Sequence, residues 1–345
     1  MKFVIAETKD KMSFGDLFFT RPHCGESALR FKDFEAYCKK RAKEEFGDNE
    51  LIAERLEAEL DMIAQTGSTV TFEIVAEIAK LSRENGYPVC LFGEESGLIV
   101  MYLLGVSGIH PGQYDFSKTP TELYLHDVLE HSCVNITLAI AEPIRDMIVP
   151  QLNREFGSIR CSNDDYLNIH LPPFDVIEKI GRLSQATKCH YSEIYLNDPR
   201  VLFDVQCDIC EGSFEWENNC TVPETALDVA RYYAFARCNT KPEKFYGLFR
   251  DVQKRIFRDS VFEELVSLGM EKFESYDLSN LFSKEPQREA EIEKLKEAGA
   301  SRSLVFVFEM LGNLWCETAC LSRVNAMVML KYYEINYPAE YERNA

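Results

Sequence analysis

The chain has no surplus of positive charge. Its 345 residues carry 38 Lys+Arg against 57 Asp+Glu, a formal net charge of -19 at pH 7. So acidic a chain has no overall attraction for phosphate backbones, and any nucleic-acid surface would have to be a local basic patch. Long apolar runs are also missing. The longest, Leu98 to Val106, is broken by Gly105 and falls far short of the roughly 20 residues a spanning helix needs, so no membrane contact is expected. The chain opens MKFVIAETKDKM, which becomes charged too early for a secretory signal. Repeats and low-complexity stretches are absent. What is there is globular: 46% hydrophobic and 28% charged residues, a balance that excludes a largely disordered chain. The twelve cysteines are scattered, and without an export signal they read as reduced thiols of a cytoplasmic protein. The length predicts about two domains.

Periodicity organises the chain. Phe34, Cys38, Ala42 and Phe46, then Leu51, Leu56, Leu60 and Ile63, predict helix over 31–65, interrupted at Gly47-Asp48-Asn49 and ended at Gly67. A further amphipathic helix covers 70–84, closed by Asn85-Gly86. Residues 88–92 read as a short buried strand, 93–97 as a turn and 98–104 as a helix. The β-branched alternation of 134–140 predicts a strand, followed by helix from about Pro143 to Phe156. A second strand at 166–170 is stopped by Pro172-Pro173. Beyond 173 the pattern turns helical, over 174–183, 226–237, 243–268, 288–298, 302–311 and 320–333. These observations divide the chain into a lead segment, 1–29, an α/β half, 30–172, and a helical half, 173–345.

Several blocks occur in the order of a known family. They include ERLEAELDMIAQTG (54–67), ENGYPVCLFGEESGLIV (84–100), GVSGIHP (105–111), VNITLAIAEPIRDMIVPQLNREFG (134–157) and DYLNIHLPPFDVIEKIG (165–181). Further blocks are LNDPRVLFD (196–204), NTKPEKFYGLF (239–249), FRDSVFEELVSLGM (257–270), KLKEAGASRSLVFVFEMLGNLW (294–315) and MVMLKYYEINYPAEY (327–341). Together they resemble the palm and fingers of the bacterial C-family DNA polymerase III alpha subunit, PolC type. The resemblance implies an α+β fold: a polymerase-β-like nucleotidyltransferase palm with a small mixed sheet over 30–172, then mainly helical fingers over 173–345.

The same resemblance implies a degenerate active centre. The family holds two Mg²⁺ ions with an Asp-Ile-Asp on one strand and a third Asp on a neighbouring strand. The matching residues here are Asn135, Thr137 and Asn168, all neutral, and Mg²⁺ binds by preference to anionic oxygen. The family's triphosphate turn, whose backbone N–H groups cradle phosphate, matches Phe92, Gly93, Glu94 and Gly97. Its arginine falls at Phe92 and a serine at Glu94, while Glu95 adds another negative charge. The Lys-Ala-His of the fingers falls at Glu317-Thr318-Ala319. Taken without the resemblance, strand Asn and Thr are ordinary surface residues and Glu94-Glu95 an ordinary exposed turn. Relocated carboxylates would have to come from Asp164, Asp165, Asp175 or Asp115.

Two other constellations stand apart from the resemblance. Cys207 and Cys210 form a CxxC, and with Cys220 and one of Cys189, His190 or Cys238 they could hold zinc, although a single close pair is a weak signature and buried or surface thiols are the preferred reading. Lys241, Lys244, Arg250, Lys254, Arg255 and Arg258, interleaved with Phe245, Tyr246, Phe249 and Phe257, could hold a single strand. Amphipathic helices carry such residues routinely as a solvated face, and Lys39-Lys40-Arg41-Lys43 is a second, shorter basic run. The expectation is a catalytically inactive relative of the polymerase III alpha subunit, in a setting related to DNA replication. It binds a protein partner, or nucleic acid weakly, and needs no cofactor. The competing expectations are an active polymerase with relocated carboxylates and Mg²⁺, and a zinc-stabilised interaction module.

Overall fold

The computed structural model describes residues 16–20, 24–111, 135–155, 166–170, 174–210, 222–237, 255–280, 285–310 and 314–344. The chain divides by its own contacts into two units. One comprises Met1–Gly112, Tyr124–Ile194 and Asn336–Ala345, the other Gln113–Leu123 and Tyr195–Ile335.

In the first unit, strand β1 (Asp16–Thr20) precedes three helices, α1 (Cys24–Phe46), α2 (Glu50–Thr66) and α3 (Thr69–Glu84). The expected periodicity is realised in part: Phe34, Cys38 and Ala42 are buried one turn apart on α1 and Leu56, Leu60 and Ile63 on α2, but Phe46 is only half-buried and Leu51 is exposed, its expected place in the stripe being taken by Ile52. The breaks fall at caps. Asn49 accepts the Ile52 N–H at 3.2 Å with its side chain, a neutral N-cap. Gly67 ends α2 at φ 62°, in the left-handed region, where a glycine lets the last carbonyls be satisfied without steric strain. Strand β2 (Cys90–Leu91), a short 3-10 turn at Glu94–Gly97 and helix α4 (Ile99–Leu103) follow. Then come β3 (Asn135–Ala139), α5 (Glu142–Glu155), β4 (Tyr166–His170) and α6 (Asp175–Thr187).

The sheet is four-stranded and mixed, in the order β1-β4-β3-β2. β1 runs antiparallel to β4, β4 parallel to β3, and β3 antiparallel to β2. Helix α3 packs against β4 and α5, and α2 packs against α4. Phe72 and Ile78 of α3 are completely buried, as are Ile136 and Leu138 of β3. Helices with a small mixed sheet make this an α+β fold, as expected. β1 was not expected, and it lies in the segment assigned as a lead.

The unit boundary differs from the one expected at 172. The first unit continues to Ile194 because α6 is part of its packing. A Cβ at Gly181 would collide with the Tyr87 ring, Gln185 donates to the Asn85 carbonyl at 3.1 Å, and Phe174 donates to the Ile140 carbonyl at 3.2 Å.

The second unit is mainly helical over its described residues. Its helices are α7 (Pro199–Cys210), α8 (Ala226–Arg237), α9 (Arg258–Ser267), α10 (Lys272–Asn280), α11 (Glu285–Glu297), α12 (Arg302–Met310) and α13 (Glu317–Asn336). A short α14 (Pro338–Arg343) belongs to the first unit, where it packs against α6. α7 packs on α8 and α9 on α10. The start of α9 is tied to the segment before α13: Phe257 bridges to Trp315, and Asp259 accepts the Glu317 N–H at 2.8 Å. No helix among the described residues is long and apolar enough to cross a membrane.

Two substitutions test this packing. Phe72→Ala is expected to lower unfolding free energy by roughly 3–5 kcal/mol through lost burial and a cavity. Gly67→Ala, with open space around it but a positive φ, is expected to lower it by about 1 kcal/mol. Urea unfolding of each variant measures both.

Candidate functional site

The parallel register of β3 and β4 sets Asn135 opposite Asn168 and Thr137 opposite His170. Side chains alternate along a strand, and in-register neighbours share a face. Asn135, Thr137 and Asn168 therefore occupy adjoining positions on one face of the sheet. The antiparallel ladder of β2 and β3 extends to the turn, where the Phe92 N–H donates to the Thr137 carbonyl at 3.0 Å. Strand and turn positions that are far apart in sequence thus meet at Thr137.

The turn itself is closed from within. Phe92 packs edge-on against Phe174, with ring centroids 5.2 Å apart. Ser96 bonds back to the Gly93 carbonyl through its N–H at 3.2 Å and its hydroxyl at 2.7 Å. Glu95 is only 4% exposed. Its carboxyl accepts the Thr137 N–H at 3.3 Å. It folds so tightly over Gly93 that a Cβ at that position would collide with it. Burial pushes the Glu95 pKa up to about 7; backbone N–H groups act against that rise, and the nearby Glu94 adds to it.

A second carboxyl does the same work one step along the chain. Glu59 is fully buried on α2 and accepts the Ile99 and Val100 N–H groups at 3.0 and 2.9 Å. Those are the first amides of α4, which have no partner inside the helix. Arg55 donates to Glu59 at 3.0 Å and to the Gly97 carbonyl at 3.4 Å. Burial raises the Glu59 pKa, with the Arg55 charge and the two amides opposing it. Burial foremost, and then the Glu59 charge, push the Cys38 thiol up to about 12, which keeps it protonated and inert.

The remaining sequence candidates are dispersed. Asp175 is exposed in the first turn of α6, and Asp164, Asp165 and Asp115 lie outside the described residues. Cys207 is exposed and Cys210 buried on α7, while Cys220 and Cys238 lie outside the described residues. Among the described residues, no group of three His, Cys, Asp or Glu side chains could hold a metal. Lys241, Lys244, Arg250 and Lys254 also lie outside. Arg255 pairs with Glu264, and the Arg258 guanidinium sits 5.6 Å from the centre of the Tyr276 ring. In the shorter basic run, Lys39 pairs with Glu35 and Glu57 at 2.7 and 2.9 Å, Arg41 with Glu44 at 3.5 Å, and Lys43 with Asp48 at 3.7 Å. Glu317 and Thr318 open α13, where Thr318 and Ala319 are buried. Sequence reading passed over Glu59. Its one signal was a carboxylate set inside an apolar stripe, between Leu56 and Ile63.

Glu95 yields a pH signature. A folded pKa near 7 against 4.5 when unfolded means that the folded chain holds the proton more tightly. Stability is therefore expected to fall as pH rises from about 4.5 to 7, by on the order of 3 kcal/mol from this group. Glu95→Gln removes that contribution, whereas Glu59 and Glu94 remain in both proteins. Urea unfolding across this pH range is expected to show the variant gaining on the unmodified chain as pH rises.

Against known proteins, the family model described as the bacterial DNA polymerase III alpha NTPase domain matches residues 32–161. No curated protein matches the chain. The matched segment is less than half of the chain and contains the turn, α4 and β3. It supports a DNA polymerase III alpha-like relationship for this part of the molecule.

Proposed function

We propose that this chain is a catalytically silent relative of the polymerase III alpha subunit, built as a palm with helical fingers, that acts by binding a protein partner in a setting related to DNA replication. The observation that carries this reading is the register of β3 and β4. Asn135, Thr137 and Asn168, where the resemblance calls for carboxylates, adjoin one another on one face, and all three are neutral. Magnesium is a hard cation that takes anionic oxygen, so this donor set does not fit the pair of ions that templated nucleotide addition uses. The carboxyl that contacts Thr137, Glu95, already accepts its backbone N–H, and burial pushes its pKa up to about 7.

A protein partner is favoured over nucleic acid by the charges. The described members of both basic runs face carboxylates or an aromatic ring of the chain itself, and the net charge is -19. Phosphate binding depends on cations that are available to release counterions.

Primer extension tests the reading. Purified chain with a primed template, deoxynucleoside triphosphates and Mg²⁺ or Mn²⁺ is expected to incorporate nothing. Incorporation lost on changing Asp164, Asp165 or Asp175 would instead establish an active enzyme with relocated carboxylates. A salt titration of single-stranded DNA binding is expected to give affinity no better than about 10⁻⁶ M at physiological salt. Charge removal at Lys254, Arg255 and Arg258 is expected to leave its salt slope unchanged.

A further inference from the structure

We propose that the cleft between α1 and α2, together with the acidic stripe beside it, is the docking surface for a basic amphipathic helix of a partner protein. The proposal gives the binding role above a place and a kind of partner, and rests on that role for there being a partner.

A cleft of about 460 Å³ opens between the end of α1 and the start of α2, a volume typical of binding pockets. Ala42, Ile52, Ala53 and Leu56 line it with hydrocarbon, and Glu50 and Glu57 line it with carboxyls. The two lysines at the cleft are committed to acids of the chain itself: Lys39 to Glu35 and Glu57 at 2.7 and 2.9 Å, and Lys43 to Asp48 at 3.7 Å. The acid continues beyond the cleft. Glu50, Glu54, Glu57 and Asp61 recur every three or four residues and are all exposed, so they form one stripe along α2. Among the described residues, no cation pairs with Glu50, Glu54 or Asp61. Like charges at this spacing repel one another, and a partner that brings cations relieves the repulsion. Leu51, 58% exposed on the other flank of the stripe, adds apolar surface.

The length of the stripe decides the kind of partner. Glu50 to Asp61 is three helical turns, about 16 Å. A small cationic ligand seated in the cleft reaches Glu50 and Glu57 alone. A helix laid along α2 reaches all four carboxylates while its apolar side chains enter the cleft, which is the helix-in-groove mode of recognition. Nucleic acid is repelled by the same stripe.

Fluorescence anisotropy tests the surface. The probe is a labelled amphipathic peptide of about 18 residues, leucine on one face and lysine on the other, compared with the same peptide carrying glutamate for lysine. The unmodified chain is expected to bind the lysine peptide saturably, more weakly as salt rises, and at least about tenfold more tightly than the glutamate peptide. Ala53→Trp fills the cleft, and Glu54→Lys with Asp61→Lys reverses the stripe beyond it. Each is expected to weaken binding at least about tenfold, whereas Glu289→Lys with Glu293→Lys, on α11, is expected to leave it unchanged. All five positions are exposed, and circular dichroism checks that the variants fold. No binding of the lysine peptide, or equal binding of the glutamate peptide, overturns the proposal. So does an equal loss on reversal at α11, which would mean a diffuse pull by the net charge. Full affinity in the stripe variant would confine the ligand to the cleft, full affinity in Ala53→Trp would leave the cleft unused, and either overturns the proposal. A dimer of the unmodified chain in sedimentation, lost in Ala53→Trp, would make a second copy the occupant and overturns it too. Primer extension judges the silent-polymerase reading separately: failure of the peptide titration in a chain that incorporates nothing sinks only this proposal.

Discussion

A backbone amide taken out of water must find an acceptor, and around residues 95–100 the acceptors are two buried carboxyls. Glu59 closes the start of α4 and Glu95 closes the turn before it. Each reaches across about forty residues of sequence to do so. Glu59 brings Arg55 with it, and the guanidinium also holds the Gly97 carbonyl. α2, the turn, α4 and β3 are thereby joined through a polar network inside an apolar core. A buried donor left without a partner costs roughly 1–3 kcal/mol, and a buried ion pair broken on one side costs more. The network is therefore hard to alter one member at a time.

That arrangement bears directly on chemistry. A site for a triphosphate needs amides and cations turned outward, and a site for two divalent ions needs clustered ionised carboxylates. In this molecule a glutamate of the turn folds inward onto the Thr137 amide of β3, and an aromatic ring pair stands at Phe92. The sheet positions beside them carry amides and a hydroxyl. In the reading proposed above, a polymerase-palm scaffold persists where apolar packing maintains it, with the groups that would act on a nucleotide replaced by neutral ones. On the proposed reading, the molecule kept the elements that give it shape and lost those that give it reactivity.

Charge points the same way. Lys39, Lys40, Arg41 and Lys43 of α1 lie within reach of acidic partners three, four or more positions away, and such exposed pairs add little stability. Their consequence is electrostatic: positive charge is answered locally and the excess of acid dominates at a distance. It is this balance that favours a protein partner over a nucleic acid in the proposed reading.

The sequence by itself determined the first helices, where α2 starts and stops, and the two central strands, because those depend on neighbours along the chain. A stripe every three or four residues fixed α1, α2 and α3, Asn49 and Gly67 marked where one helix starts and stops, and alternation marked β3 and β4. β1 escaped because its apolar residues, Leu17, Phe18 and Phe19, are consecutive and do not alternate. α7 escaped because its CxxC drew attention from Val201, Leu202 and Val205, which are buried on one side of it. The extent of the first unit, the meeting of Asn135 with Asn168, and the inward turn of Glu59 and Glu95 were decided only by tertiary structure. Periodicity is a local property set by backbone geometry. Strand register and the pairing of buried carboxyls with distant amides are chosen by the requirement that every polar group removed from water finds a partner.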